Sequence, residues 1–179
     1  SDRWSLQTFA TTTEVGHYAV LFQLGYTPIV LATGLIMSFL GPILYQRSGD
    51  ATDYVRNANV HRLSWRMTQF SLMVTLFGFA LTYFMHEWLF RLLVATEYRG
   101  SSYYLPWVVL AGGLFAAGQM LSLKLMSGIK SSSLTIVKIT TALIGILCNL
   151  LGAAYAGIHG VVGALVVFSV VYFIWMAVL

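Results

Sequence analysis

Residues 139–179 read ITTALIGILCNLLGAAYAGIHGVVGALVVFSVVYFIWMAVL, 41 positions without a single Asp, Glu, Lys or Arg. A helix needs about 20 apolar residues to cross the ~30 Å hydrocarbon core of a bilayer. This stretch therefore holds two crossings, broken near Gly157-Ile158-His159-Gly160. Three more stretches lack charge altogether: 15–46, 67–86 and 100–123. Only 9% of the 179 residues are charged and 58% are hydrophobic, against about a quarter charged in an ordinary soluble domain. Mean hydropathy is +0.78. These values exclude a soluble globular chain and a disordered one. The runs are continuously apolar and do not alternate with period two, which argues against a transmembrane β-barrel. The expected class is an all-α integral membrane protein with five spans, at about 16–45, 66–86, 104–126, 135–156 and 160–179.

Lys and Arg set the expected orientation. Segment 47–66 carries Arg47, Arg56, Arg62 and Arg66, and segment 124–138 carries Lys124, Lys130 and Lys138. Arg3, Arg91 and Arg99 lie on the other side. Seven cations against three place 47–66 and 124–138 in the cytoplasm, with 1–15, 87–103 and 157–159 outside. The net charge of +4 is this bias and gives no reason to expect nucleic-acid binding. The chain begins without Met and stops inside an apolar run, so it reads as a piece of a larger protein.

Local signals punctuate the spans. Thr11-Thr12-Thr13-Glu14 has capping-box spacing, so the first long helix is expected to run from about residue 12 to Tyr45. That is about 50 Å of helix, more than the hydrocarbon core, and Pro28 and Pro42 are the candidate bends. Ser48-Gly49-Asp50 breaks the chain, and Asp50 is the expected N-cap of an amphipathic helix running into the second span. Gly100-Ser101-Ser102 is the expected outer turn, and Pro106 suits the first turn of the third span. Trp65, Trp88, Tyr98, Tyr103, Tyr104 and Trp107 fall where aromatic belts do.

Each of the first four spans carries a small or polar stripe at helical spacing. The first is Gln23, Thr27, Gly34, Ser38 and Gly41. The second is Thr68, Ser71, Thr75, Gly78 and Thr82. The third is Gly113, Ala116, Ala117, Met120, Lys124 and Ser127. The fourth is Lys138, Thr141, Ala142, Gly145, Asn149, Gly152 and Ala156, with Leu143, Ile144, Ile146, Leu147, Leu150 and Leu151 opposite and suited to lipid. Such stripes either pack helices closely or line a hydrated cavity. Lys124 and Lys138 end two of them near the inner interface, where a Lys either snorkels to the membrane edge or faces a cavity.

Other chemistry finds little footing. Cys148 is the lone cysteine, without a partner for a disulfide or a zinc site. His17, His61, His86 and His159 sit near span ends with no HxxxH or HExxH spacing, so no metal site is expected. Glu87 and Arg91, four apart, suit a local ion pair. No GxSxG, GxxxxGK[ST] or paired-carboxylate motif occurs, so neither an enzyme nor a cofactor is expected.

Taken in order, Asp2-Arg3-Trp4, Val15-Gly16-His17-Tyr18, Gln23-Leu24, Pro28 and Gly41-Pro42-Ile43-Leu44-Tyr45-Gln46 resemble the polysaccharide biosynthesis flippases. These are the O-antigen and lipopolysaccharide-repeat flippases of the multidrug/oligosaccharidyl-lipid/polysaccharide exporter superfamily. Tyr98 with Leu105-Pro106 resembles an outer loop of that family, and Asn149 with Gly160-Val161-Val162-Gly163-Ala164 its last two helices of a lobe. The resemblance implies two six-helix lobes, of which this chain would supply five helices, best matched to the second. The missing N-terminal lobe would be its partner. It further implies translocation of a lipid-linked oligosaccharide across the cytoplasmic (inner) membrane by alternating access, with membrane lipids around it. Arg3 at the outer mouth and Lys124 and Lys138 near the inner one are the residues expected to attract the pyrophosphate, and Gln23 and Asn149 complete the expected substrate-binding set. The alternatives are a small-molecule efflux transporter of the same superfamily, a membrane glycan polymerase or transferase, and a purely structural subunit.

Overall fold

The structure, a computed structural model, describes residues 2–9, 11–47, 54–127 and 131–179, apart from the side chains of 2–4, 44–47, 54–57, 60, 123–127 and 131–134. Within these residues every element is helical. Helix α1 (Asp2–Phe9) is followed by α2 (Thr12–Leu21), a π-turn (Phe22–Tyr26) and α3 (Thr27–Arg47). Then come α4 (Tyr54–Leu93), a 3-10 segment (Thr96–Tyr104), α5 (Leu105–Ser127) and α6 (Ser131–Val178). Four stretches are long and apolar enough to cross a membrane: Thr12–Ile43, His61–Leu93, Thr96–Ser122 and Thr135–Val178. The chain has the architecture of a multi-pass membrane protein.

The first of these begins as its capping residues dictate. Thr11 Oγ1 accepts from the Glu14 N–H at 3.3 Å, and Glu14 Oε2 accepts from the Thr11 N–H at 3.1 Å. Upstream, residues 2–9, within the segment expected outside the membrane, form a short helix. Leu6 and Ser5 are buried, and α1 packs on α6. The irregularity expected at Pro28 falls in the turn just before it. Proline offers no N–H and its ring presses on the carbonyl four residues back. The chain widens into a π-turn there, with the Thr27 N–H reaching Phe22 O and Thr27 Oγ1 donating to the same oxygen at 3.1 Å. Pro42 lies within α3, which continues through it.

Helix α4 shows which solvent the fold is built for. Thr68, Thr75 and Thr82 recur every seventh residue and are buried. Phe70, Phe77 and Phe84, two residues further on and about 200° around the helix, are 69%, 70% and 83% exposed. In water that polarity would be reversed. Here the small polar face packs on α5 and the large apolar face turns outward, as a lipid surround requires. Each threonine hydroxyl donates to the carbonyl four residues back (Ser64, Ser71 and Gly78) at 2.7–2.8 Å. The stripe therefore satisfies itself within its helix, and its contribution to packing is closeness.

Helix α5 is the centre of the bundle: Thr96–Ser122, the apolar stretch that contains most of it, is the most buried of the four. Small residues let three neighbours approach it. A Cβ on Gly112 would stand 3.2 Å from Ile29 of α3, one on Gly113 2.2 Å from Thr75 of α4, and one on Gly118 2.7 Å from the Tyr172 ring of α6. Around it Tyr18, Leu21, Phe90, Val108 and Val161 form the larger apolar core, and Leu121, Val137, Tyr172 and Met176 a second.

Helix α6 does not run straight. Gly157 takes φ 54°, ψ −131°, a conformation open to glycine and strained for other residues. In an unbroken helix Gly145 and Phe168 would stand about 34 Å apart. Instead a Cβ on Gly145 would stand 2.8 Å from the Phe168 ring. The chain reverses at Gly157, and the two halves meet backbone to backbone at Gly152 and Gly160. The break expected near Gly157–Gly160 falls at this reversal. The Ser48-Gly49-Asp50 break and the Asp50 cap lie outside the described residues.

Candidate functional site

Two features of the bundle have the chemistry of a site. One is a polar cluster at the end that carries residues 96–104. Three helices each send a histidine to this short segment. His17 of α2 meets Ser101 Oγ through Nδ1 at 2.9 Å, and His86 of α4 meets Ser102 Oγ through Nδ1 at 3.0 Å. His159 of α6 pairs through Nδ1 with the Tyr104 hydroxyl. Ser101 Oγ donates its own proton to the Tyr98 carbonyl at 2.9 Å, so in the first pair His17 Nδ1 is the donor. The rings pack as well: His17 stands edge-on to Tyr98 with centroids 5.3 Å apart, and His159 edge-on to Tyr104 at 4.9 Å.

Glu14 adds a fourth tie. Its carboxylate caps α2 and also lies against the Gly157–Ile158 start of the second half of α6. A Cβ on Gly157 would stand 2.6 Å from Glu14 Oε1. A carboxylate placed there neutralises helix-start N–H groups that no intrahelical partner can reach. The reversal in α6 and the start of α2 are thus fixed by one side chain.

The second feature is a half-open cleft of about 240 Å³ among the π-turn and the two halves of α6. Phe22, Tyr26 and Phe168 form aromatic walls, with Phe22 stacked on Tyr26 at 4.6 Å. Gly145 leaves room on one side, and Asn149, buried, brings an amide to an otherwise largely apolar lining.

The five residues expected to bind substrate do not converge on one centre. Asn149 lines the cleft. Gln23 lies in the adjacent π-turn with its side chain exposed and outside the lining. Lys138 is exposed on α6. Arg3 and Lys124 belong to α1 and α5, and their side chains lie outside the described residues. The stripes divide in the same way. Those of α4, α5 and the first half of α6 are used at helix contacts. That of α3 is not: Gly34 and Gly41 have no atom within 4 Å of an added Cβ, and Ser38 is exposed.

Sequence reading passed over the histidine cluster because it weighed histidine only as a metal ligand. Three histidines at the same ends of their spans, opposite a Ser-Ser-Tyr-Tyr run, are its signal. Among the described residues no three His, Cys, Asp or Glu side chains gather closely enough to hold a metal ion. Compared with family models, curated proteins and solved structures, the chain matches none.

Proposed function

We propose that the chain is part of a transporter lobe that flips a lipid-linked oligosaccharide across the cytoplasmic membrane for surface polysaccharide biosynthesis. The observation that carries this reading is the uncovered face of α3. Gly112, Gly113 and Gly118 meet a neighbouring helix and Gly152 meets the second half of α6, whereas Gly34 and Gly41 of α3, like Gly163 of α6, have nothing within 4 Å of an added Cβ, and Gly34, Gln23 and Ser38 are exposed. Ser38 Oγ donates to the Leu35 carbonyl at 2.8 Å, so what this face offers is closeness, and small residues facing lipid forgo the helix packing that they permit. A second lobe facing α3 across a hydrated cavity explains it. The resemblance of the Asp2-Arg3, Val15–Tyr18 and Gly41–Gln46 motifs to the polysaccharide flippases names the cargo class.

In this reading the reversal at Gly157 separates a fourth and a fifth span, and segments 47–66 and 124–138 face the cytoplasm. The pyrophosphate-bearing head passes through the cavity while the polyprenyl tail stays in lipid. Arg3, Lys124 and Lys138 attract the phosphates at the two mouths, and the lobes rock to open alternately to each side. The test is depletion of the full-length protein in its cell, with the lipid-linked oligosaccharide followed by labelling. Accumulation on the cytoplasmic leaflet, restored to export by wild type but not by Gly34→Leu at equal expression, is the expected result. Unchanged export on depletion overturns the proposal.

A further inference from the structure

Beside the histidine cluster lies a second pocket, of about 430 Å³, lined by Glu87, Phe90, Arg91, Arg99 and Ser102. We infer that this pocket binds the phosphodiester headgroup of an anionic glycerophospholipid. Four observations carry the inference, none of which depends on the transport reading.

The first is the placement of charge. Arg91 in the last turn of α4 and Arg99 in the 3-10 segment line one pocket although eight residues separate them. Arg99 Nη2 donates to the Arg91 carbonyl at 3.3 Å, which draws the two ends together. The second is unused hydrogen-bonding capacity. A guanidinium has five N–H donors. Among the described contacts Arg99 spends one, and Arg91 faces Glu87 at 3.7 Å, longer than a hydrogen bond. Donors remain on both for an anion, in the planar arrangement that suits phosphate oxygens.

The third is net charge. Two arginines and Glu87 leave the lining at +1, which matches a singly charged phosphodiester better than a pyrophosphate. The fourth is depth. The pocket sits at the end of a membrane-length helix and is floored by fully buried Phe90; Trp88 is exposed in the same turn of α4, and Tyr83 and Phe84 are exposed one turn further into the span. Trp at a helix end marks the headgroup level. A ligand entering there has its anion at the arginines and its chains running into the span along exposed Tyr83 and Phe84, one turn below on the same side of α4, which a free anion could not use.

Native mass spectrometry of the whole chain in non-ionic detergent tests this with three probes: dioleoylphosphatidylglycerol, dioleoylphosphatidylcholine and inorganic phosphate. Phosphatidylglycerol should give a one-to-one adduct tighter than phosphatidylcholine, and inorganic phosphate at equal concentration should give none. Arg91→Gln with Arg99→Gln should weaken phosphatidylglycerol by about 30-fold, at about five-fold per surface cation. Glu87→Gln, which raises the lining to +2, should tighten it by about five-fold on the same scale. Unaltered phosphatidylglycerol binding in the double Gln variant overturns the site. An inorganic phosphate adduct as strong as the lipid's overturns the lipid as its ligand. If the double variant does not fold, Glu87→Gln decides, and no tightening there overturns the inference.

Discussion

Adding one methyl group to Gly160 should separate the two halves of α6. A Cβ there would lie 2.0 Å from the Gly152 carbonyl oxygen, 2.4 Å from its carbon and 2.7 Å from its Cα. A carbon resting against a carbonyl oxygen sits at about 3.3–3.6 Å, so the halves must part by more than about 1 Å. The obstacle is backbone on both sides, and no side chain can swing away. Overpacking of this kind costs about 1–3 kcal/mol, and the upper end applies where the neighbour cannot yield. Gly34→Ala supplies the control, because its Cβ meets nothing within 4 Å. There alanine's better helix propensity, worth about 1 kcal/mol, is gained without a clash. The two variants carry the same chemical change and should differ by about 3 kcal/mol, roughly a 100-fold ratio of unfolding constants. Titration of the chain from mixed micelles into dodecyl sulfate, with helicity as the readout, measures both. Gly160→Ala and Gly34→Ala unfolding at the same detergent fraction would refute the close backbone crossing.

The remaining expectations are briefer. Ser101→Ala and Tyr104→Phe each remove one histidine partner and should destabilise by about 1 kcal/mol, with faster amide exchange in 96–104; unchanged exchange in both contradicts the tie to three helices. Lys124→Gln with Lys138→Gln in the full-length protein should lower polysaccharide export by about ten-fold or more, the loss of one charge-assisted contact. Wild-type export at matched expression would remove both lysines from the pathway. In a Cys148→Ser background, Gly100→Cys should react with an impermeant thiol reagent from outside the cell and Lys130→Cys only after permeabilisation. The reverse pattern would invert the topology.

What the sequence disclosed and withheld has physical causes. The Thr11–Glu14 box and the long helix it opens were legible because both partners lie within one turn, as was the break at Gly157–Gly160, where small residues interrupt an apolar run. The π-turn at Phe22–Tyr26 was half legible: Pro28 announces a disturbance, but how the preceding turn absorbs it depends on Thr27. Helix α1 was not legible, since its register is fixed by packing Leu6 and Ser5 on α6, more than a hundred residues away. The stripes looked alike in sequence, and only the fold distinguishes the three that meet a neighbouring helix from the one on α3 that does not. The histidine cluster escaped for the same reason. His17, His86 and His159 share no spacing, and what unites them is the single segment at Ser101–Tyr104 on which three helices converge.

The most direct measurement uses the complete protein in proteoliposomes loaded on one leaflet with a polyprenyl-pyrophosphate-linked oligosaccharide, scoring glycan exposure to a lectin on the other side. Time-dependent exposure well above that of protein-free vesicles, lost in the variant with Lys124→Gln and Lys138→Gln, is the predicted result. Exposure no faster than in protein-free vesicles, with a lipophilic cation moved in the same preparation, would contradict the flippase reading.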